Sequence, residues 1–115
     1  MIGFIGAGQM AQALAQGLVQ SGIFSATEIY ASDPSDAARD AFAGLLPDAH
    51  LHAENGKLVS ACQTIILAVK PQQMVDVLAP LSGSIHQSHL VISIAAGIRL
   101  SWLASQMTPE PRLVR

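Results

Sequence analysis

The chain has 115 residues, with six Lys and Arg against eight Asp and Glu and a formal net charge of −2. That is enough for one compact domain with its own core, and short for an enzyme that also carries a separate substrate domain. No basic cluster suits nucleic acid, no apolar run reaches the roughly 18 residues of a membrane-spanning helix, and the Ala-rich start lacks the cationic opening of a signal peptide.

A cytoplasmic chain with neither a nucleic-acid nor a membrane partner is therefore expected. Half the residues are apolar, yet only three Phe, one Trp and one Tyr are aromatic, so Ala, Leu, Ile and Val must fill the core, as where helices cover a buried parallel sheet. Cys62 has no partner for an internal disulfide, and four scattered His show no metal-ligand spacing, so no metal is expected.

Met1 to Gly6 is a short apolar run ending in glycine, which predicts a strand buried on both faces. From Gln9 to Ser21 the apolar positions Met10, Leu14 and Leu18 recur at helical spacing, with Gly22 placed to end the helix. Glu28 to Ala31 reads as a second strand. Ser35 is placed to cap a helix over Asp36 to Leu45. Ala49 to His52 reads as a brief third strand, and Asn55 as the cap of a short helix through Ala61. Thr64 to Val69 is a continuous apolar run, the pattern of a central parallel strand. Pro71 suits the first position of a helix whose inner side carries Met74, Val75, Val77, Leu78 and Leu81. Leu90 to Ile94 is a further strand, Ser101 to Met107 a short helix, and Arg112 to Arg115 an extended segment. Alternating strands and helices with short connections predict an α/β fold: a doubly wound parallel sheet of the Rossmann type, in three layers, over residues 1–115.

The sharpest chemical feature is the opening turn, Gly6-Ala7-Gly8-Gln9-Met10-Ala11. Gly6 permits the tight turn off the strand, Gly8 lets a diphosphate approach the backbone, and Ala11 stands where helix and strand pack closely. Free amides and a partial positive charge at the helix start bind phosphate without Lys or Arg. Asp33 ends the second strand, where an acid accepts from the adenosine ribose hydroxyls and repels a 2′-phosphate. Ser32 and Ser35 flank it, and Arg39 is the nearest cation, so either NADP or NAD suits the site, with a slight lean to NAD.

Ala68-Val69-Lys70-Pro71 ends the central strand beside the switch point where such sheets bind ligands, and Ala95-Ala96-Gly97 ends the next with side chains too small to obstruct a nicotinamide ring. Lys70, held extended before proline, reads better as a solvent-facing side chain than as a catalyst. The four His read as surface residues, Cys62 as a small buried side chain, and Trp102 as a packing anchor.

Three segments together resemble the pyrroline-5-carboxylate reductase family: Gly3 to Ala11, Ala68 to Pro71 and Ser93 to Gly97. The resemblance implies an oxidoreductase that reduces a cyclic imine to L-proline with NADPH or NADH. It implies that Ile5, Gly6, Ala7, Gly8, Gln9 and Met10 contact the pyrophosphate, that Ser32, Asp33 and Ser35 surround the adenosine ribose, and that Asn55 lies near the adenine end. Ala68, Val69, Lys70, Pro71 and Ala96 would meet the nicotinamide half. Many members carry Ser or Thr at the position of Asp33. The family continues past the segment matching Arg112 to Arg115 into a helical domain that dimerises and completes the substrate pocket, so no residue here is assigned as acid or base, and the chain alone is expected to be inactive. The alternatives are a 3-hydroxyacid dehydrogenase or imine reductase relative, and a non-catalytic module that senses the nicotinamide dinucleotide pool.

Overall fold

The computed structural model describes residues 1–107 and 110–115. Six parallel strands form one sheet in the order β3-β2-β1-β4-β5-β6. The strands are β1 (Ile2–Ile5), β2 (Ile29–Ser32), β3 (His50–His52), β4 (Thr64–Leu67), β5 (Leu90–Ser93) and β6 (Arg112–Val114). The helices are α1 (Gln9–Gln20), α2 (Asp36–Leu45), α3 (Asn55–Ala61), α4 (Met74–Leu78) and α5 (Leu100–Gln106). This is the α/β doubly wound arrangement expected, and the strand order reverses direction between β1 and β4, which creates a crevice beyond their carboxyl ends.

The pleat sorts the apolar residues of the central strands onto two faces. Ile5, Ile65 and Leu67 join α3, α4 and α5 in one core, whereas Ile2, Phe4 and Ile66 join α1 and α2 in the other. Phe4 and Phe42 meet there in a tilted pair, ring centroids 6.3 Å apart. In both cores the strands bury Ile, Leu, Val and Ala, as the aromatic-poor composition requires.

Local signals account for most element ends. At the end of α1, Gly22 has φ +79°, the Gly22 amide donates to the Val19 carbonyl and the Ile23 amide to Leu18, so the left-handed glycine satisfies the last carbonyls. The Ser35 hydroxyl accepts from the Ala38 amide at 3.2 Å and caps α2, a contact worth about 1 kcal/mol. Before β2, Ser25 and Glu28 cap one turn of 3-10 helix reciprocally.

Four expectations need correction. Of the apolar positions Met10, Leu14 and Leu18, only Leu18 packs against the core, half-buried; Met10 and Leu14 are exposed, while Ala11 and Ala15 are buried. Ala11 and Ala15 make the fully buried part of the α1 contact, with Leu18 and Val19 half-buried beside them. Val75 is also exposed: the helix after Pro71 is an α-helix of five residues between 3-10 turns at Pro71–Gln73 and Ala79–Leu81, and its buried side carries Met74 and Leu78 instead. Asn55 does not cap α3; Glu54 holds the cap position, and the Asn55 side chain is bonded elsewhere. His89 is buried rather than on the surface: its Nδ1 accepts from the His86 amide at 3.0 Å, so its Nε2–H donates to the Val59 carbonyl at 3.1 Å. Cys62 is buried as expected, and burial pushes its thiol up to about 11. Trp102 is half-buried against the α3–α5 core.

Candidate functional site

The strand ladder continues one residue past the strand ends at the carboxyl edge. The amides of Gly6, Asp33 and Ala68 donate to the carbonyls of Ser32, His52 and Ile5 at 2.8, 3.0 and 2.8 Å. These bonds bring Gly6, Asp33 and Ala68 side by side at the switch point. Gly6 has φ +102°, and a Cβ there would stand 2.8 Å from the Ala68 carbonyl oxygen, so both the turn and the neighbouring strand demand glycine.

Gly8 is different. Its φ of −77° suits any residue, and a Cβ would meet nothing within 4 Å. Neither conformation nor packing requires glycine here; the missing side chain leaves open space at the start of a 12-residue helix. The first intrahelical bond runs from the Gln12 amide to the Gly8 carbonyl, and among the described residues the amides of Gln9, Met10 and Ala11 have no acceptor. The result is an unobstructed cradle of N–H donors at a positive helix end. The Gln12 side chain pins this turn by donating to the Ala7 carbonyl at 3.0 Å.

Asp33 is half-buried and holds the turn through its carboxylate, which accepts from the Ala7 amide at 3.0 Å and from the Ser35 amide at 2.9 Å. Arg39 donates to the Asp33 carbonyl at 2.8 Å and pairs with the Asp36 carboxylate, so its guanidinium is committed at the foot of α2. Behind Asp33, the buried Ser32 hydroxyl donates to the Asn55 side-chain oxygen at 2.6 Å, which ties β2 to the start of α3. Ser32 and Asn55 were each assigned to the site from the sequence; their mutual bond was not foreseen.

Beside these residues lies a cleft of about 670 Å³. Ile5, Gly6, Ser32, Asp33, Asn55 and Val69 line it, so the structure brings together residues from the first turn, the second strand, α3 and the end of β4. Ala7, Gly8, Gln9 and Met10 lead away from it along the turn into α1, and Ser35 caps α2 beyond Asp33. Lys70 is exposed and extended before Pro71, which begins the 3-10 turn ahead of α4. Ala95 is buried, whereas Ala96 and Gly97 are exposed just past the end of β5. Ala68 to Pro71 and Ala95 to Gly97 thus share the carboxyl edge of neighbouring strands, and of these seven only Val69 lines the cleft.

The far wall was missed from the sequence. It consists of Gln73, Asp76, Val77, Pro80, Leu81 and Ser84. Their spacings of three, one, three, one and three residues mark one face of a helix, a signal present in the sequence but read there only for its apolar members. Asp33, Glu54 and Asp76 all line the cleft, and none of its lining residues is Lys or Arg. Carboxylates with no facing cation favour a neutral, hydrogen-bond-donating ligand part and disfavour an added phosphate.

Residues 1–97 match the family described as NADP oxidoreductase, coenzyme F420-dependent. The chain belongs to this family. Over 114 residues it is 36% identical to pyrroline-5-carboxylate reductase 3 of Rattus norvegicus, an alignment that covers 99% of the chain and 41% of that protein. The structure of a pyrroline-5-carboxylate reductase from Coxiella burnetii superposes with a TM-score of 0.89 at 27% identity, covering 97% of the chain and 41% of that protein. Pyrroline carboxylate reductase of Plasmodium falciparum, solved with NADP bound, superposes with a TM-score of 0.77 at 27% identity, covering 95% of the chain and 38% of that protein. The likeness that three short segments carried in the sequence therefore extends over almost the whole chain, which spans 41% of the length of the rat relative.

Proposed function

We propose that residues 1–115 are the dinucleotide-binding domain of a cytoplasmic reductase that converts 1-pyrroline-5-carboxylate to L-proline, and that this domain takes NADH in preference to NADPH. The observation that carries the cofactor reading is the open space at Gly8, in front of free amides at the start of α1. That space fits a pyrophosphate, whose charge the helix end stabilises without a basic side chain. The imine substrate and the homo-oligomeric state follow from the likeness to pyrroline-5-carboxylate reductases, and a helical domain beyond Arg115 would complete the substrate pocket.

In this reading Ile5 to Met10 hold the pyrophosphate, while Asp33, fixed by the Ala7 and Ser35 amides, accepts from the adenosine ribose. Ser32 and Asn55 brace that end through their mutual bond. Ala68 to Pro71 and Ala95 to Gly97 form the floor for the nicotinamide, with alanine and glycine leaving its face clear. When bound, the cofactor supplies the hydride; the protein supplies orientation. The preference for NADH rests on Asp33 beside a cleft lined by two further carboxylates and no Lys or Arg, together with the commitment of Arg39 to Asp33 and Asp36.

Calorimetric titration of the wild type and Asp33→Ser with NADH and NADPH tests the preference. The wild type is expected to favour NADH, and Asp33→Ser to weaken NADH by about tenfold, the scale of a lost hydrogen bond to a charged group, while gaining on NADPH. Tighter NADPH binding by the wild type would overturn it.

A further inference from the structure

Resting on the dinucleotide reading above, we infer that Asp76 is a specificity-determining residue that reads the adenine edge, its carboxylate accepting a hydrogen bond from the exocyclic 6-amino group. The cleft that opens beside Asp33 does not end at the ribose. It continues to a wall formed by α4 and its flanking 3-10 turns, which turn Gln73, Asp76, Val77, Pro80, Leu81 and Ser84 toward one space. The opposite wall is Asp33, Pro34 and residues 53–56, and at about 670 Å³ the cleft has room for a nucleoside.

The chemistry of the α4 wall matches a purine. Val77 and Pro80 offer an apolar surface to a flat ring beside the buried Leu81, and polar side chains line the same cleft at Gln73 and Asp76. Met74 and Leu78 bury the other face of the same helix, so the position of Asp76 is fixed by core packing. Among the described residues Asp76 has no hydrogen-bond or ion-pair partner. A carboxylate only accepts. Adenine presents an amino donor at position 6, whereas hypoxanthine presents a keto oxygen there, so the carboxylate attracts the first and repels the second. Glu54, the other carboxylate on this cleft besides Asp33, also has no partner among the described residues, but it stands at the cap of α3 and not on the α4 wall that carries the apolar surface.

The test titrates the 115-residue chain with NADH and with its reduced hypoxanthine analogue, using the wild type, Asp76→Asn and Glu54→Gln. Far-ultraviolet circular dichroism confirms that each variant is folded, as expected for exposed positions. The wild type should prefer NADH by about tenfold, the scale of one charge-assisted hydrogen bond. Asp76→Asn should bring the two ligands within about threefold of each other, because a rotated amide donates to the keto oxygen as well as it accepts from the amino group. Glu54→Gln should keep the wild-type preference. Equal binding by the wild type, or a preference that survives Asp76→Asn, or one lost with Glu54→Gln instead, would overturn the assignment. Failure of the wild type to bind either ligand would reject the dinucleotide reading itself, and the adenine assignment with it.

Discussion

Gly6 and Gly8 stand two residues apart in one motif and are required for different reasons. Gly6→Ala places a methyl group against the Ala68 carbonyl in a left-handed backbone and is expected to cost about 2 kcal/mol or more of stability, read as a lower urea midpoint. A Cβ at Gly8 meets no neighbour, so Gly8→Val is expected to cost at most about 1 kcal/mol, the scale of a changed helix cap, while filling the phosphate cradle. Equal loss of stability in both variants would show that Gly8 is structural. The motif was legible because glycine chemistry is local: turn, helix start and spacing all lie within six consecutive residues. Asp76 and Gln73 were not legible, since polar residues on a helix read as a solvated face until the topology sets Asn55 and Asp33 across from them. Cys62 gives a pH prediction. Burial raises its thiol from an ordinary 9.0 to about 11, so the stability it lends is complete below about 9 and is lost as the pH climbs through 11. At pH 8 it should label slowly in the folded chain and promptly in urea; fast labelling without urea would contradict its burial.

At the scale of elements, the contact of α1 with the sheet shows where periodicity misleads. Two of the three largest apolar side chains of the helix, Met10 and Leu14, point outward, while Ala11 and Ala15 are buried and Leu18 is half-buried against the core. A stripe chosen by side-chain size misses a face whose buried positions are alanines. Ala11→Leu is accordingly expected to destabilise by about 1 to 3 kcal/mol through overpacking, measured by urea unfolding, whereas Leu14→Ala should cost less; the reverse order would refute the burial of Ala11. The buried His89 ring joins the loop at His86 to the end of α3, and the His89 carbonyl also accepts from the Arg112 amide of β6 at 3.1 Å. Its two ring bonds predict a loss of about 2 kcal/mol in His89→Ala. Nothing in the spacing of the four His showed this, because both partners of the ring are backbone groups.

For the molecule as a whole, the order of elements was readable because the central strand runs are apolar and most helices between them are bounded by proline, glycine or a capping hydroxyl. The sheet order then follows from right-handed crossovers between parallel strands, and it places the first turn, Asp33 and the end of β4 around one crevice. The helices cover that sheet unevenly. Phe4, Ile66, Ile92 and Val114 lie in register across one face, and exposure rises along the row from 0% at Phe4 and 7% at Ile66 to 47% at Val114. Composition gave no hint of this, since it counts apolar residues without saying which of them find a cover. The most direct measurement is calorimetric titration of NADH into the 115-residue wild type and Gly8→Val, each shown folded by circular dichroism. Saturable binding by the wild type, weakened at least about tenfold in Gly8→Val, is the predicted result; no saturation of the wild type at millimolar NADH, or equal binding by the two, would contradict the account.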